Sequence, residues 1–220
     1  MKMALQYWIN RDVAGRTKFV SFLRGYHGDT LATMTICDPE EGMHGLFAGV
    51  MPAQHVVGLP RDAESEAALD ALLAEKGHEI AALIVEPRVQ GAGGMLLHDD
   101  SVLATLRRLA DRHGLLLIFD EIFTGFGRTG DLFACSGSGV IPDIVTLSKA
   151  LTGGTLPLSA AIASRKVFEA FWSDDAGAAL MHGPTYMANP LACAAAGASL
   201  DLFESGSWKA DVARINAALA

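Results

Sequence analysis

Cysteine is scarce in this chain: 220 residues hold three, Cys37, Cys135 and Cys193, with no CxxC pair. That argues against a disulfide framework or a cysteine zinc site, and it fits a reduced, cytoplasmic interior. The seven histidines are scattered without metal-ligand spacing, so no metal site is expected. Basic residues are outnumbered, 17 Lys and Arg against 25 Asp and Glu. They form no cluster. A net charge of −8 and a pI near 5.3 argue against a nucleic-acid or anionic-membrane partner. No uninterrupted apolar run is long enough to span a bilayer. Residues 1–10 are broken by Lys2, Gln6 and Asn10 and do not form a secretory signal. The Gly-rich pieces at 91–94 and 125–130 match neither GxGxxG nor a P-loop, so they are read as turns near a ligand. Internal repeats and low-complexity stretches are absent.

What the chain does have is apolar sequence, half its residues, with a mean hydropathy of +0.28. That is enough for a sizeable core. The runs Ile80-Ala81-Ala82-Leu83-Ile84-Val85 and Leu115-Leu116-Leu117-Ile118-Phe119 are continuous and short, as expected of strands buried on both faces. Further strands are predicted at 17–23, 55–59, 143–147 and 159–164. Helices are predicted at the start of the chain and at 31–36, 64–76, 99–113, 167–172, 190–204 and 208–220, with Gly77 as a C-cap. Residues 37–54 and 89–95 are predicted as loops. The long loop at 37–54 is of the kind more often functional than idle. Strand–helix alternation with uninterrupted apolar strands predicts an α/β fold of three layers around a mostly parallel sheet. The first helix has helical spacing from Met1 with no capping residue before it, which suggests that the chain begins inside an element.

The residues that end these strands are the reactive ones. Asp143-Ile144-Val145-Thr146-Leu147 runs out at Ser148-Lys149, followed by Thr152-Gly153-Gly154. A lysine where a strand leaves the core is expected to be partly desolvated, which favours the neutral, nucleophilic amine. Such an amine can form a Schiff base with a carbonyl compound or with pyridoxal phosphate. It can equally snorkel from a strand end with no chemistry at all. Tyr26-His27, Glu86 and Asp120-Glu121 stand in the same place after other strands, and in open α/β sheets ligands lie beyond the carboxyl ends of the strands.

Pyridoxal chemistry explains this set. Its ring nitrogen must stay protonated, which a carboxylate at Asp120 would favour. Tyr26 would stack on the ring. Thr185, just before an Ala-rich helix, would offer donors to the phosphate. Arg128, in a Gly-rich loop, would bind a substrate carboxylate through both guanidinium nitrogens. Each residue also has a plainer reading: Asp120 as a helix cap, Tyr26 as a turn residue, Thr185 as a helix-entry threonine and Arg128 as a surface charge. His27 is expected to hydrogen-bond only within its turn.

These pieces resemble the class III, fold-type I pyridoxal-phosphate aminotransferases. The likeness rests on Gly25-Tyr26-His27-Gly28, Leu83-Ile84-Val85-Glu86-Pro87, Phe119-Asp120-Glu121-Ile122 with Thr124-Gly125-Phe126-Gly127-Arg128-Thr129-Gly130, and Leu147-Ser148-Lys149-Ala150-Leu151-Thr152-Gly153-Gly154. They occur in the family's order through almost the whole chain. The run from Gly25 to Thr30, the Lys-Ala-Leu-Thr-Gly-Gly run and the stretch 182–194 are most similar to members that use S-adenosylmethionine and 8-amino-7-oxononanoate in biotin biosynthesis. The resemblance implies pyridoxal 5′-phosphate on Lys149, with Asp120 at the ring nitrogen and Tyr26 on the ring face and in the substrate site. It also implies that Pro184 and Thr185 hold the phosphate from the neighbouring subunit of a homodimer. Gly183 would line the substrate site, and Arg128 and Asp29 would help to select the substrate.

Family members are roughly twice this length, in keeping with multi-domain chains. The resemblance therefore implies that residues 1–204 are the core of the cofactor-binding large domain and that 205–220 begin the following segment. A Gly-Ser phosphate cup and a small domain with a carboxylate-binding arginine would lie outside 1–220. Two other readings remain at this stage: another class III ω-aminotransferase or aminomutase, and a non-catalytic α/β module that keeps the lysine by descent.

Overall fold

The two continuous apolar runs become neighbouring central strands. The computed structural model describes residues 1–39, 44–47 and 49–219. Residues 40–43 and 48 of the expected 37–54 loop, and Ala220 of the expected last helix, lie outside the described residues. Eight strands are described: β1 Lys18–Phe22, β2 His55–Val57, β3 Ile80–Val85, β4 Val89–Gln90, β5 Leu96–Leu97, β6 Leu116–Asp120, β7 Ile144–Leu147 and β8 Ala160–Ala163. Six of them form one sheet in the order β2-β1-β3-β6-β7-β8. Every neighbouring pair is parallel except β7 and β8, which are antiparallel. The helices are α1 Lys2–Ile9, α2 Leu31–Met34, α3 Ala63–Lys76, α4 Asp100–Arg112, α5 Ala134–Ser138, α6 Arg165–Glu169, α7 Pro190–Glu204 and α8 Trp208–Leu219.

Strand alternation explains the layers. Val20 and Phe22 of β1, Leu83 and Val85 of β3, and Leu117 and Phe119 of β6 share one face with Leu69 and Leu73 of α3 and Leu103 and Leu106 of α4. Phe19, Ala82, Ile84, Leu116 and Ile118 point the other way, onto Tyr7 and Trp8 of α1 and Val167 of α6. Both faces of the sheet are thus covered, which is why all six residues of β3 are buried. Burying one such side chain contributes roughly 1.5–3 kcal/mol, so this central pair is the mechanical base of the sheet edge. The indole of Trp8 adds a polar tie, donating to the Ala81 carbonyl at 2.9 Å.

The expected three-layer, mostly parallel α/β architecture is what the chain forms. One local expectation needs correction. The Gly-rich loop at 89–95 is the turn of a hairpin, because Val89 and Gln90 pair with Leu97 and Leu96. A short helix that sequence reasoning did not foresee, α5, follows the Gly-rich segment that ends at Gly130. Gly77 is the C-cap of α3 as expected, with a right-handed φ of −54°. Among the described residues, no helix is long and apolar enough to cross a membrane. No His, Cys, Asp and Glu group among them is placed to hold a metal ion.

Candidate active site

Because β1, β3, β6 and β7 are parallel neighbours, their carboxyl ends lie on one sheet edge. The residues that follow them meet there. Asp120, last in β6, is buried, at 5% exposure. Its Oδ2 lies 2.7 Å from His27 Nδ1. Its Oδ1 accepts the Ile122 N–H and the Thr146 hydroxyl, both at 3.2 Å. A carboxylate acceptor puts the imidazole proton on Nδ1. The expectation that His27 bonds only within its turn is therefore wrong: it reaches Asp120, 93 residues away. Asp120 also does more than cap the next segment. Its neighbour Glu121 has a separate task, since its carboxylate takes the N–H groups of Ala134 and Cys135 at the start of α5.

Glu86, at the end of β3, fills the gap between the ends of β1 and β6. Its two carboxylate oxygens accept the N–H groups of Tyr26 and Gly91, each at 3.0 Å. Burial, the largest influence, holds its carboxyl above the usual range. The nearby His27 and the two amide donors pull the other way. The folded state therefore binds this proton more tightly than the unfolded chain. The stability Glu86 contributes is complete below its ordinary value of 4.5 and is lost as pH rises through the raised one. In Glu86→Gln the loss of unfolding free energy that the raised carboxyl causes as pH climbs above 4.5 should be absent, so stability should depend less steeply on pH there than in the parent. Urea titrations at several pH values measure this. The cost of any hydrogen bond lost to the amide is the same at every pH, so it does not affect the slope. Parallel slopes in the two proteins would contradict this assignment.

Tyr26 is held at both ends. Its N–H goes to Glu86, and its hydroxyl donates to Asp29 Oδ1 at 2.8 Å. Burial and then the bond to Asp29 push the phenol up to about 12. Asp29, expected to help select substrate, is an exposed side chain whose nearer oxygen already serves Tyr26.

Lys149 opens a 3-10 turn, Lys149–Thr152, directly after β7. Its backbone φ is +45°, a left-handed value that costs a non-glycine residue roughly 1–3 kcal/mol and persists only where its surroundings over-determine it. They do so here. Ser148 donates to the Leu158 carbonyl, Thr152 to that of Leu156, and Ser199 of α7 to that of Ala150. One expectation fails at this residue. Lys149 is exposed in this chain, so its amine is not desolvated by burial at the strand end. Among the described residues that amine forms no ion pair, and it lies 5.3 Å from the centre of the Phe123 ring.

Arg128 is exposed as well, with its guanidinium 5.8 Å from the same ring. Phe123 thus touches both cations that sequence reasoning assigned to the site, yet sequence reasoning passed over it. Its sequence signal was slight, one aromatic between Ile122 and Thr124. Gly91 makes room for it: a Cβ there would come within 2.9 Å of the ring. Gly183, Pro184 and Thr185 are not brought to this cluster. All three are exposed, and among the described residues none is hydrogen-bonded to Lys149, Asp120 or Tyr26. Their loop is tied to α1 instead, through Gln6 to the Ala179 carbonyl and the Met181 N–H back to Gln6. A groove of about 1170 Å³ between the β4–β5 hairpin and α8 takes in Arg128 but none of Lys149, Asp120 and Tyr26. The chemistry is concentrated at the sheet edge rather than in that groove.

This arrangement was compared with known proteins. The family description Aminotransferase class-III matches residues 1–220. The chain is 48% identical to the adenosylmethionine-8-amino-7-oxononanoate aminotransferase of Mycobacterium leprae over 222 residues, all of this chain and 51% of that protein. With the enzyme of the same name from Corynebacterium glutamicum it shares 45% identity, covering all of this chain and 53% of that one. Among solved structures it is similar to an amine transaminase from an uncultivated Pseudomonas species in a PLP-bound form. The TM-score is 0.91 at 37% identity, over 99% of this chain and 52% of that one. The Methanocaldococcus jannaschii adenosylmethionine-8-amino-7-oxononanoate aminotransferase follows the same path, with a TM-score of 0.85 at 34% identity, over 96% of this chain and 49% of that one. The chain thus spans about half the length of the curated relatives it matches. With His27-braced Asp120 at the end of β6 and Lys149 just past the end of β7, and a family match over every residue, this chain is a member of the class-III aminotransferases.

Proposed function

We propose that this chain is the core of a pyridoxal-phosphate-dependent aminotransferase that passes the amino group of S-adenosylmethionine to 8-amino-7-oxononanoate, forming 7,8-diaminononanoate. The observation that carries the reading is the placement of Tyr26, Asp120 and Lys149 at the carboxyl ends of β1, β6 and β7 on one edge of a parallel sheet. The named relatives support the choice of substrates. The donor set supports a fit to the cofactor: an exposed amine without an ion pair among the described residues, a buried carboxylate braced by an imidazole, and a tyrosine clamped at its hydroxyl.

When bound, the cofactor supplies an aldehyde for an amine and a protonated pyridine ring that draws off an electron pair. Lys149 would hold it through Nζ and afterwards move a proton at that atom. Asp120 would keep the ring nitrogen protonated, and His27 would keep Asp120 aimed. Tyr26 would pack on the ring and line the substrate site with Gly183. Arg128 would bind a substrate carboxylate, and Asp29 would share in substrate choice. Pro184 and Thr185 would serve the phosphate of the partner subunit in a homodimer, which suits a loop this exposed in a single chain. The three unpaired cysteines suit a cytoplasmic setting. Residues 1–204 would be large-domain core, with 205–220 beginning the following segment. An ω-amine transaminase is the second reading, favoured by the close overlay with the amine transaminase.

The test is to add the cofactor to the chain, reduce with borohydride and map the label by mass spectrometry. Label on Lys149 alone, out of six lysines, is the expected result. Label spread over other lysines, or none, would overturn the assignment.

A further inference from the structure

The geometry points to His44 as the residue that positions Tyr26, its imidazole running parallel beside the phenol and holding the plane in which a flat ligand meets it. His44 is 8% exposed, although among the described residues near it the element that follows is only the short 3-10 turn Gly45–Phe47. Its imidazole lies nearly parallel to the Tyr26 ring, with planes 17° apart and centroids at 6.2 Å. Its Nε2 is 3.6 Å from Asp29 Oδ1, the same oxygen that accepts the Tyr26 hydroxyl. That distance is beyond hydrogen-bond reach, and among the described residues Nε2 has no hydrogen-bond partner. A buried ring nitrogen without a partner is disfavoured, so its aim at Asp29 needs a reason. The reason follows from how Tyr26 is held. Glu86 fixes its backbone, Asp29 fixes its hydroxyl, and neither restrains rotation of the ring about the line joining them. A parallel imidazole does. His44 is itself anchored, since its carbonyl accepts the Phe47 N–H and closes the turn Gly45–Phe47. The phenol is thereby held at its backbone, its hydroxyl and its flank, which fixes the ring plane that stacking on a planar ligand requires.

The effect on Tyr26 stands on geometry alone, and its effect on amino transfer rests on the function proposed above. The experiment separates the two. Carbon-13 tyrosine labelling gives three signals, for Tyr7, Tyr26 and Tyr186, and Tyr26→Phe assigns the relevant one. The parent phenol should ionise only near 12. In His44→Ala, and in His44→Gln, it should ionise closer to the ordinary 10.0 because the ring gains solvent. Asp29 and Cys37, the other groups acting on the phenol, keep their identity in both variants, and His44→Phe, which loses the same approach to Asp29, controls for that loss. His44→Phe, which keeps a flat face, should restore the high value. An unchanged Tyr7 signal certifies the fold. In the complete enzyme kcat/KM should fall about tenfold in His44→Ala and recover in His44→Phe, as expected when a reacting surface loses its orientation. A Tyr26 titration indifferent to His44→Ala and His44→Gln, or not restored by His44→Phe, overturns the proposal. Absence of amino transfer in the parent itself would count against the function and leave the tyrosine result standing.

Discussion

Lys149→Ala is expected to abolish covalent cofactor uptake and to lower amino transfer by on the order of 10⁴-fold or more, since it removes both the nucleophile and the proton carrier. No other lysine can take over. Lys2 donates to the Met181 carbonyl and Lys18 to that of Ala53. Lys76 pairs with Glu75 and Lys166 with Asp143, while Lys209 lies over Trp208. Only Lys149 stands at the end of β7 with its amine unengaged by any ion pair among the described residues. Lys149→Arg should fail equally, because guanidinium keeps its charge and offers no free amine. The backbone at 149 should relax little, since its left-handed turn is fixed by Ser148, Thr152 and Ser199 rather than by the side chain. A visible absorbance titration with the cofactor and a transfer assay on both variants test this. Uptake or transfer at the parent level in either one removes Lys149 from the chemistry.

Asp120→Asn should separate binding from transfer. The amide has nearly the carboxylate's shape, so Lys149 should still take up the cofactor. Transfer should fall on the order of 10²–10³-fold, the range seen when one preorganised electrostatic partner is removed. The cause is local. Asp120 accepts from His27 on one oxygen and from Ile122 and Thr146 on the other. An amide can satisfy the second pair, but its nitrogen then faces His27, whose ring must change tautomer to accept. The folded state should lose about 1 kcal/mol, the size of one hydrogen bond, which urea unfolding will register. Asn at this position with parent transfer rates would mean that the buried carboxylate is structural and that the ring nitrogen is served elsewhere.

Sequence reasoning reached the site through strand ends. Ile80–Val85 could be read as doubly buried because its six residues are all apolar, and the reading of a residue at its carboxyl end as edge-facing followed from that. The same logic found Asp120 and Lys149. It failed where a partner lies far along the chain. His27 and Asp120 are 93 residues apart, and nothing local in either segment announces the other. It failed again where burial was inferred from nearness to a strand end. The strand stops at Leu147 as expected, but Lys149 opens the 3-10 turn beyond it, and there its side chain is exposed. Phe123 and His44 went unnoticed because aromatic and imidazole rings in irregular segments have no period by which to be recognised.

The order of apolar runs, their lengths and the reactive residues that close them determined the layer class, the parallel sheet and the identity of Lys149, Asp120 and Tyr26 as its edge residues. That much is local, because a strand's burial and direction follow from its own residues and the crossover after it. Only the tertiary structure decided that β1, β3, β6 and β7 lie side by side, that His27 braces Asp120, that Phe123 faces two cations and that the last strand runs backwards. Contacts between segments tens of residues apart depend on how the whole sheet closes, and closure is a property of the packed core rather than of any stretch within it.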